Sequence, residues 1–265
     1  MKKWIVLALI GISLITGFVL KDEIRWAYYG KMLDYGMIKM PKDQKSLPAR
    51  EEPSLIAHGG GDIDGSKYTN SQEAVNNSLK NGFHYVEIDL RKSLEGHYFG
   101  AHKYKEFNAL VGNPKRWMIP PTEAGIKESK IEGKYTPILL RELPNLLKAH
   151  PDAYLVTDKA RDFKALLKEF PYPDRLVVEV SNRAQYYDAL KAGILYPVMQ
   201  SSDFDSTMKE GIKRVVISKN AWDSQKAENF IAHGGQVFVA SFKTLQEIPD
   251  DMRRKGVFVY LDQKQ

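Results

Sequence analysis

Two carboxylates on one strand and two histidines at strand ends are the residues of this chain whose types and spacing could do chemistry. In Tyr85-Val86-Glu87-Ile88-Asp89-Leu90 the two-residue period of a strand sends Val86, Ile88 and Leu90 to one face and Glu87 and Asp89 to the other. If the apolar face packs against helices, the acids point inward, where an ionised pair is costly unless it binds a cation or accepts strong hydrogen bonds. Two oxygen ligands near a strand end suit Mg²⁺ or Ca²⁺, with further oxygens from loops, water or a phosphate. An exposed edge strand with an acidic solvent face would show the same pattern. His58 ends Leu55-Ile56-Ala57-His58 and is followed by Gly59-Gly60-Gly61, whose backbone amides could approach an anionic oxygen. His102 ends Tyr98-Phe99-Gly100-Ala101-His102. Two histidines flanking a phosphate supply one base and one acid, although either alone could simply hydrogen-bond a loop. Between these runs, Asn70 stands three residues before Glu73 in a capping-box arrangement, and its amide could also face a ligand.

Positioning these groups requires a frame, and short β-branched runs alternate with helical patterns in the manner of βα units. Eight strands are expected, near Leu55–His58, Tyr85–Leu90, Tyr154–Asp158, Leu176–Ser181, Leu195–Gln200, Val215–Ser218, Val237–Ala240 and Val257–Leu261. Eight units close into an α/β fold, a (β/α)₈ TIM barrel over 54–265. The glycine run after His58 lacks the Gly-x-Gly-x-x-Gly spacing of a dinucleotide-binding open sheet. A stretch of about fifty residues separates the second strand from the helix near Leu143, far beyond a usual βα loop. Lying over the mouth of the barrel, it is a candidate lid or substrate-selecting insert, with Tyr98–His102 as a hairpin arm.

Trp4–Leu20 is an uncharged apolar run after Met1-Lys2-Lys3, which reads as a transmembrane signal anchor, or a signal peptide, over 1–21. Residues 22–53 read as a juxtamembrane linker, and the barrel is expected on the outer side of the cell membrane. The 265 residues contain 43% hydrophobic residues, enough for one large core, and no cysteine, which excludes disulfides, thiolate metal sites and a cysteine nucleophile. A net charge of +6 favours polyanionic substrates or an anionic membrane surface. The cations are dispersed along the chain, so nucleic acid is not an expected partner.

Taken together, His58 with its glycines, Tyr68-Thr69-Asn70-Ser71 with Glu73-Ala74, Gly82, Glu87-Ile88-Asp89 and His102 resemble, in order and spacing, the first half of the glycerophosphodiester phosphodiesterases and their phosphatidylinositol-phospholipase-C-like relatives. The resemblance implies metal-assisted cleavage of a phosphodiester, with His58 and His102 as the acid/base pair and Glu87 and Asp89 as metal ligands. It places the third acidic ligand at Asp158, with Glu179 as a second candidate, and a phosphate-binding lysine at Lys159 or its neighbour Arg161. The implied substrate is a glycerophosphodiester, a lipid head group or a phosphodiester-linked surface polymer. Three positions depart from the family pattern: Gly59 where many members have arginine, Lys103 where an aspartate usually follows the second histidine, and Ala160 where a lysine is common. These departures leave a second reading, a catalytically degenerate barrel that binds a phosphorylated glycan or lipid at the cell envelope.

Overall fold

Valine, isoleucine and aromatic residues dominate the runs that become strands, and their alternation divides two hydrophobic layers between them. In the computed structural model, which describes residues 21–264, these runs form β1 (Ser54–Ala57), β2 (Tyr85–Lys92), β4 (Tyr154–Asp158), β5 (Leu176–Val180), β6 (Tyr196–Gln200), β7 (Arg214–Ser218), β8 (Gln236–Phe242) and β9 (Val257–Leu261). All eight pair in parallel, and β1 pairs with both β2 and β9, which closes the barrel. The ninth strand, β3 (Tyr98–Gly100), runs antiparallel to the far end of β2, the hairpin arm the sequence suggests.

Helices cover the outside: α2 (Gln72–Lys80), α6 (Phe163–Glu169), α7 (Arg183–Ala192), α8 (Phe204–Lys209) and α9 (Ser224–Ala232). Val86, Ile88 and Leu90 pack into this outer layer. The inward set of the same strand is Tyr85, Glu87 and Asp89, and the barrel interior is accordingly stratified. Its lower part is aromatic, with Tyr85 stacked on Tyr154 at 5.1 Å and Phe238 on Phe258 at 4.6 Å. Its upper part, toward the C-terminal ends of the strands, carries the carboxylates.

The long segment after β2 folds into β3, α3 (Tyr104–Leu110), α4 (Glu123–Glu128) and α5 (Leu143–Leu146). Phe99, Phe107, Ile126, Ile131, Tyr135 and Leu139 give it a small core of its own, so it is a built insert and not a loose loop.

Residues 22–53, expected as a linker, are packed onto the barrel. Residues 21–34 are helical (α1), and the indole of Trp26 is buried against α7, donating to Asp188 at 3.0 Å. The chain then passes beneath the barrel, where Leu47 exchanges two backbone hydrogen bonds with the Gln236 side chain, at 2.9 and 2.7 Å. Arg214 points down from β7 with 0% exposure and donates to the carbonyls of Lys45, Leu195 and Pro197. Carbonyl oxygens thus replace the carboxylate a buried guanidinium would ordinarily need. No described helix is long and apolar enough to cross a membrane. The apolar run Trp4–Leu20 expected as an anchor lies outside the described residues.

Candidate active site

At the end of β1 the chain turns through His58-Gly59-Gly60, with φ of 58° at Gly59 and 86° at Gly60. The Gly59 amide donates to Glu87 Oε2 at 2.7 Å. The anionic oxygen met by the glycine run is therefore a carboxylate of the chain itself. A Cβ at Gly59 would stand 2.7 Å from the Tyr68 Cα, so the arginine common in the family cannot be accommodated in this backbone. Gly59→Arg is expected to lower the unfolding free energy in urea by about 2–5 kcal/mol, from left-handed strain plus overpacking, without creating a phosphate contact.

Glu87, Asp89 and Asp158 project from adjacent strands, each offering an oxygen within 4.8 Å of the others. Burial, and then the neighbouring Asp89 and Asp158, raise the Glu87 pKa well above the usual carboxylate range. Burial also raises Asp158, again with Asp89 as the next cause. Asp89 goes the other way: burial acts to raise it, but the Lys159 ammonium and the Asn70 amide outweigh that and hold it low. Lys159 bonds to both Asp89 and Asp158. It reaches them because its backbone is left-handed, with φ 58°, which redirects a side chain one position past Asp158 into the barrel. Arg161, the other candidate for that cation, instead pairs with Glu23 at 2.6 Å on α1.

Glu179, the alternative third ligand, accepts a hydrogen bond from the Tyr260 hydroxyl beside the trio. Burial pushes its pKa up to about 7. A carboxyl raised in the folded state contributes its stability fully below the unfolded pKa and loses it as pH rises through 7. In chelator-treated protein, Glu179→Gln should therefore remove a loss of up to about 3 kcal/mol between pH 5 and 8, read by urea unfolding at the two pH values.

Asn70 does not cap α2. The cap is Ser71, whose hydroxyl accepts from the Ala74 amide, and Glu73 reaches across to the amide and hydroxyl of Thr136. Asn70, left-handed with φ 50°, clasps Asp89 instead: its Oδ1 accepts from the Asp89 amide at 2.9 Å and its Nδ2 donates to Oδ2 at 3.1 Å. Its second amide proton goes to the Tyr68 carbonyl. In this arrangement Asn70 orients a carboxylate, and its amide is engaged within the chain.

His58 and His102 line one cavity of about 510 Å³, together with Asp89, Asn70 and Tyr68. Each ring is held through Nδ1 by a carboxylate, His58 by Asp262 at 3.2 Å and His102 by Glu106 at 2.7 Å, which leaves both Nε2 atoms free of these bonds. Asp262 also accepts from the Tyr68 hydroxyl at 2.7 Å, and its pKa is held low by His58 and Tyr68 although burial works to raise it. Sequence reasoning missed Asp262 and Glu106, and it placed Tyr68 in the family-like motif without giving it a role. Asp262 had a signal: it follows Tyr260 by two at the end of the last strand, in the inward phase. Glu106 also had one, four residues after His102 at the start of a helix.

The opposite wall of the cavity is apolar, formed by Phe107, Ala109 and Leu110 of the insert. An acid cluster that suits a hard cation, two carboxylate-backed histidines and a half-apolar cavity together suit proton transfer at an anionic ester.

No family model matches the sequence, and no curated relative matches it at a significant level. The backbone, in contrast, is similar to several solved structures. A glycerophosphoryl diester phosphodiesterase from Parabacteroides distasonis superposes with a TM-score of 0.61 at 13% identity, covering 89% of this chain and 88% of that one. A phosphodiesterase from Oleispira antarctica, solved with its product sn-glycerol-3-phosphate, gives 0.61 at 16% identity over 79% of this chain and 93% of that one. The glycerophosphoryl diester phosphodiesterase domain of a Mycobacterium tuberculosis protein gives 0.59 at 14% identity over 80% and 97%. The chain therefore has the fold of the glycerophosphodiester phosphodiesterases.

Proposed function

We propose that this chain belongs to that superfamily and is a metal-dependent phosphodiester hydrolase acting on a glycerophosphodiester, a phospholipid head group or a phosphodiester-linked surface polymer. The observation that carries the reading is the opening of His58, His102 and Asp89 onto one cavity. The product bound to the Oleispira antarctica neighbour favours a substrate containing glycerol phosphate.

Glu87, Asp89 and Asp158 would hold a divalent cation, Mg²⁺ or Ca²⁺. The residues fit it, because Asp158 Oδ1 is buried with no hydrogen-bond partner among the described residues, an oxygen that such an ion would satisfy. When bound, the ion supplies charge neutralisation at the phosphate oxygens. One histidine takes the proton from the attacking oxygen, and the other gives a proton to the departing alkoxide. Asp262 and Glu106 keep the rings aimed at the cavity through Nδ1. Lys159 offers a cation to the phosphate once its carboxylate partners are engaged elsewhere.

A second reading, a non-catalytic barrel that binds a phosphorylated glycan or lipid, is favoured by Lys159 itself, which already gives the acid cluster an internal counter-charge. Incubating the full chain with glycerophosphodiesters, phospholipids and a phosphodiester-linked polymer, with Mg²⁺, Ca²⁺ or chelator, separates the two readings. Cation-dependent release of a phosphomonoester or cyclic phosphate, followed by phosphorus NMR, supports the enzyme. Binding with no turnover of any bound compound supports the second reading. The barrel is proposed to work at the outer face of the cell membrane.

A further inference from the structure

The insert ends in an apolar tip with no role in the chemistry above. Trp117, Met118 and Ile119 are 58%, 56% and 56% exposed, and the neighbouring Leu94 is 61% exposed. Contiguous large apolar side chains in water mark a contact surface. This tip is also suited to a dry partner, because most of its backbone is satisfied from within, the Met118 amide and carbonyl excepted. The buried side chain of Asn108 donates to the carbonyls of Trp117 and Ile119 at 3.1 and 3.0 Å. The Trp117 and Ile119 amides donate to the Pro114 and Arg116 carbonyls, Pro120 and Pro121 have no amide, and the Pro121 carbonyl accepts from Leu94. Polar backbone left unpaired would forbid transfer into hydrocarbon, and little is left unpaired here.

The charge around the tip selects the partner. Lys105, Lys115 and Arg116 are exposed beside it, and the Lys105 ammonium lies 6.0 Å from the Trp117 ring. The nearby carboxylate of α3, Glu106, is taken up by His102 and Lys103. A tryptophan with two further apolar side chains, flanked by Lys105, Lys115 and Arg116 and with Glu95 as the exposed carboxylate beside Leu94, has the composition of a segment seated at a bilayer surface among anionic head groups. The same helix that leads to the tip also supplies Phe107 and Leu110 to the cavity wall. We infer that the Trp117-Met118-Ile119 tip docks into an anionic lipid bilayer, which brings the apolar wall of the cavity to the lipid.

An anchor in the apolar run Trp4–Leu20, as expected from the sequence, would keep the full chain on vesicles whatever the tip does, so the test reads the tip alone. Because the chain has no cysteine, Met118→Cys accepts a single environment-sensitive fluorophore. Lys255→Cys, exposed in the loop before β9 at the opposite end of the barrel, is the control. Both proteins are reconstituted at full length into phosphatidylcholine vesicles with and without phosphatidylglycerol, and quenched by lipids spin-labelled in the acyl chain or by aqueous iodide. The expected result is several-fold stronger lipid quenching at 118 than at 255, greater in the anionic vesicles, and lost when Lys105, Lys115 and Arg116 are all replaced by glutamate. Equal iodide quenching at the two positions overturns the inference. So does a label at 118 shielded from both quenchers, which would mean that a protein surface covers the tip. The inference does not depend on catalysis, and hydrolysis in the phosphorus NMR assay is unaffected by its failure.

Discussion

Replacing His58 with glutamine is expected to lower the turnover of a phosphodiester substrate by about 10²–10⁴-fold, the usual contribution of a positioned acid or base. The loss should fall on kcat with KM little changed, because the ring acts on the reacting proton and His102, Asn70 and Asp89 still shape the cavity. Glutamine preserves polarity and roughly the reach of the side chain, so urea unfolding should stay near wild type and separate chemistry from folding. Asp262→Asn is the informative companion. It leaves the ring in place but removes the charge bonded to Nδ1 at 3.2 Å, and it should cost less than loss of the ring itself. Wild-type turnover in His58→Gln would remove His58 from the reaction and with it the proposed acid/base pair.

The second large effect is on the cation. A ligand that binds only the folded protein raises its unfolding free energy by about 2.7 kcal/mol at a hundredfold excess over Kd. Wild-type protein should show this gain with Mg²⁺ or Ca²⁺, and Asp89→Asn should abolish it together with activity. Asp89 is the pivot of the trio, since its two oxygens and its amide engage Lys159 and both ends of the Asn70 amide. Lys159→Met should do the reverse to affinity, strengthening cation binding by removing the ammonium that competes for Asp89 and Asp158. Cation-induced stabilisation that survives in Asp89→Asn would place the metal elsewhere.

Much of this frame is legible in the sequence. The eight strand positions follow from apolar runs, and the observed strands start or stop within about two residues of them, the usual uncertainty of such boundaries. The inward direction of Glu87 and Asp89 follows from period two alone. Features that depend on pairs distant in sequence were less accessible. The capping-box spacing at Asn70 and Glu73 is genuine, but Asp89 and Thr136 compete for those side chains and win, so the cap moves to Ser71. Lys159 reaches the acid cluster only through a left-handed residue, a conformation that a lysine does not advertise. Residues 22–53 look like a linker because their composition is mixed, although single residues such as Trp26 and Leu47 carry the packing.

The carbonyl cradle around Arg214 sets where the autonomously folding unit begins. One of its oxygens belongs to Lys45, and the adjacent Leu47 seals the base of the barrel through Gln236. A truncated version starting at the first strand would admit water to a guanidinium that has no acidic partner, and would bare the aromatic floor above it. Expression boundaries, domain fusions and protease-trimming strategies should therefore respect a start upstream of Met40, since the stretch under the barrel is a stopper and not a tether.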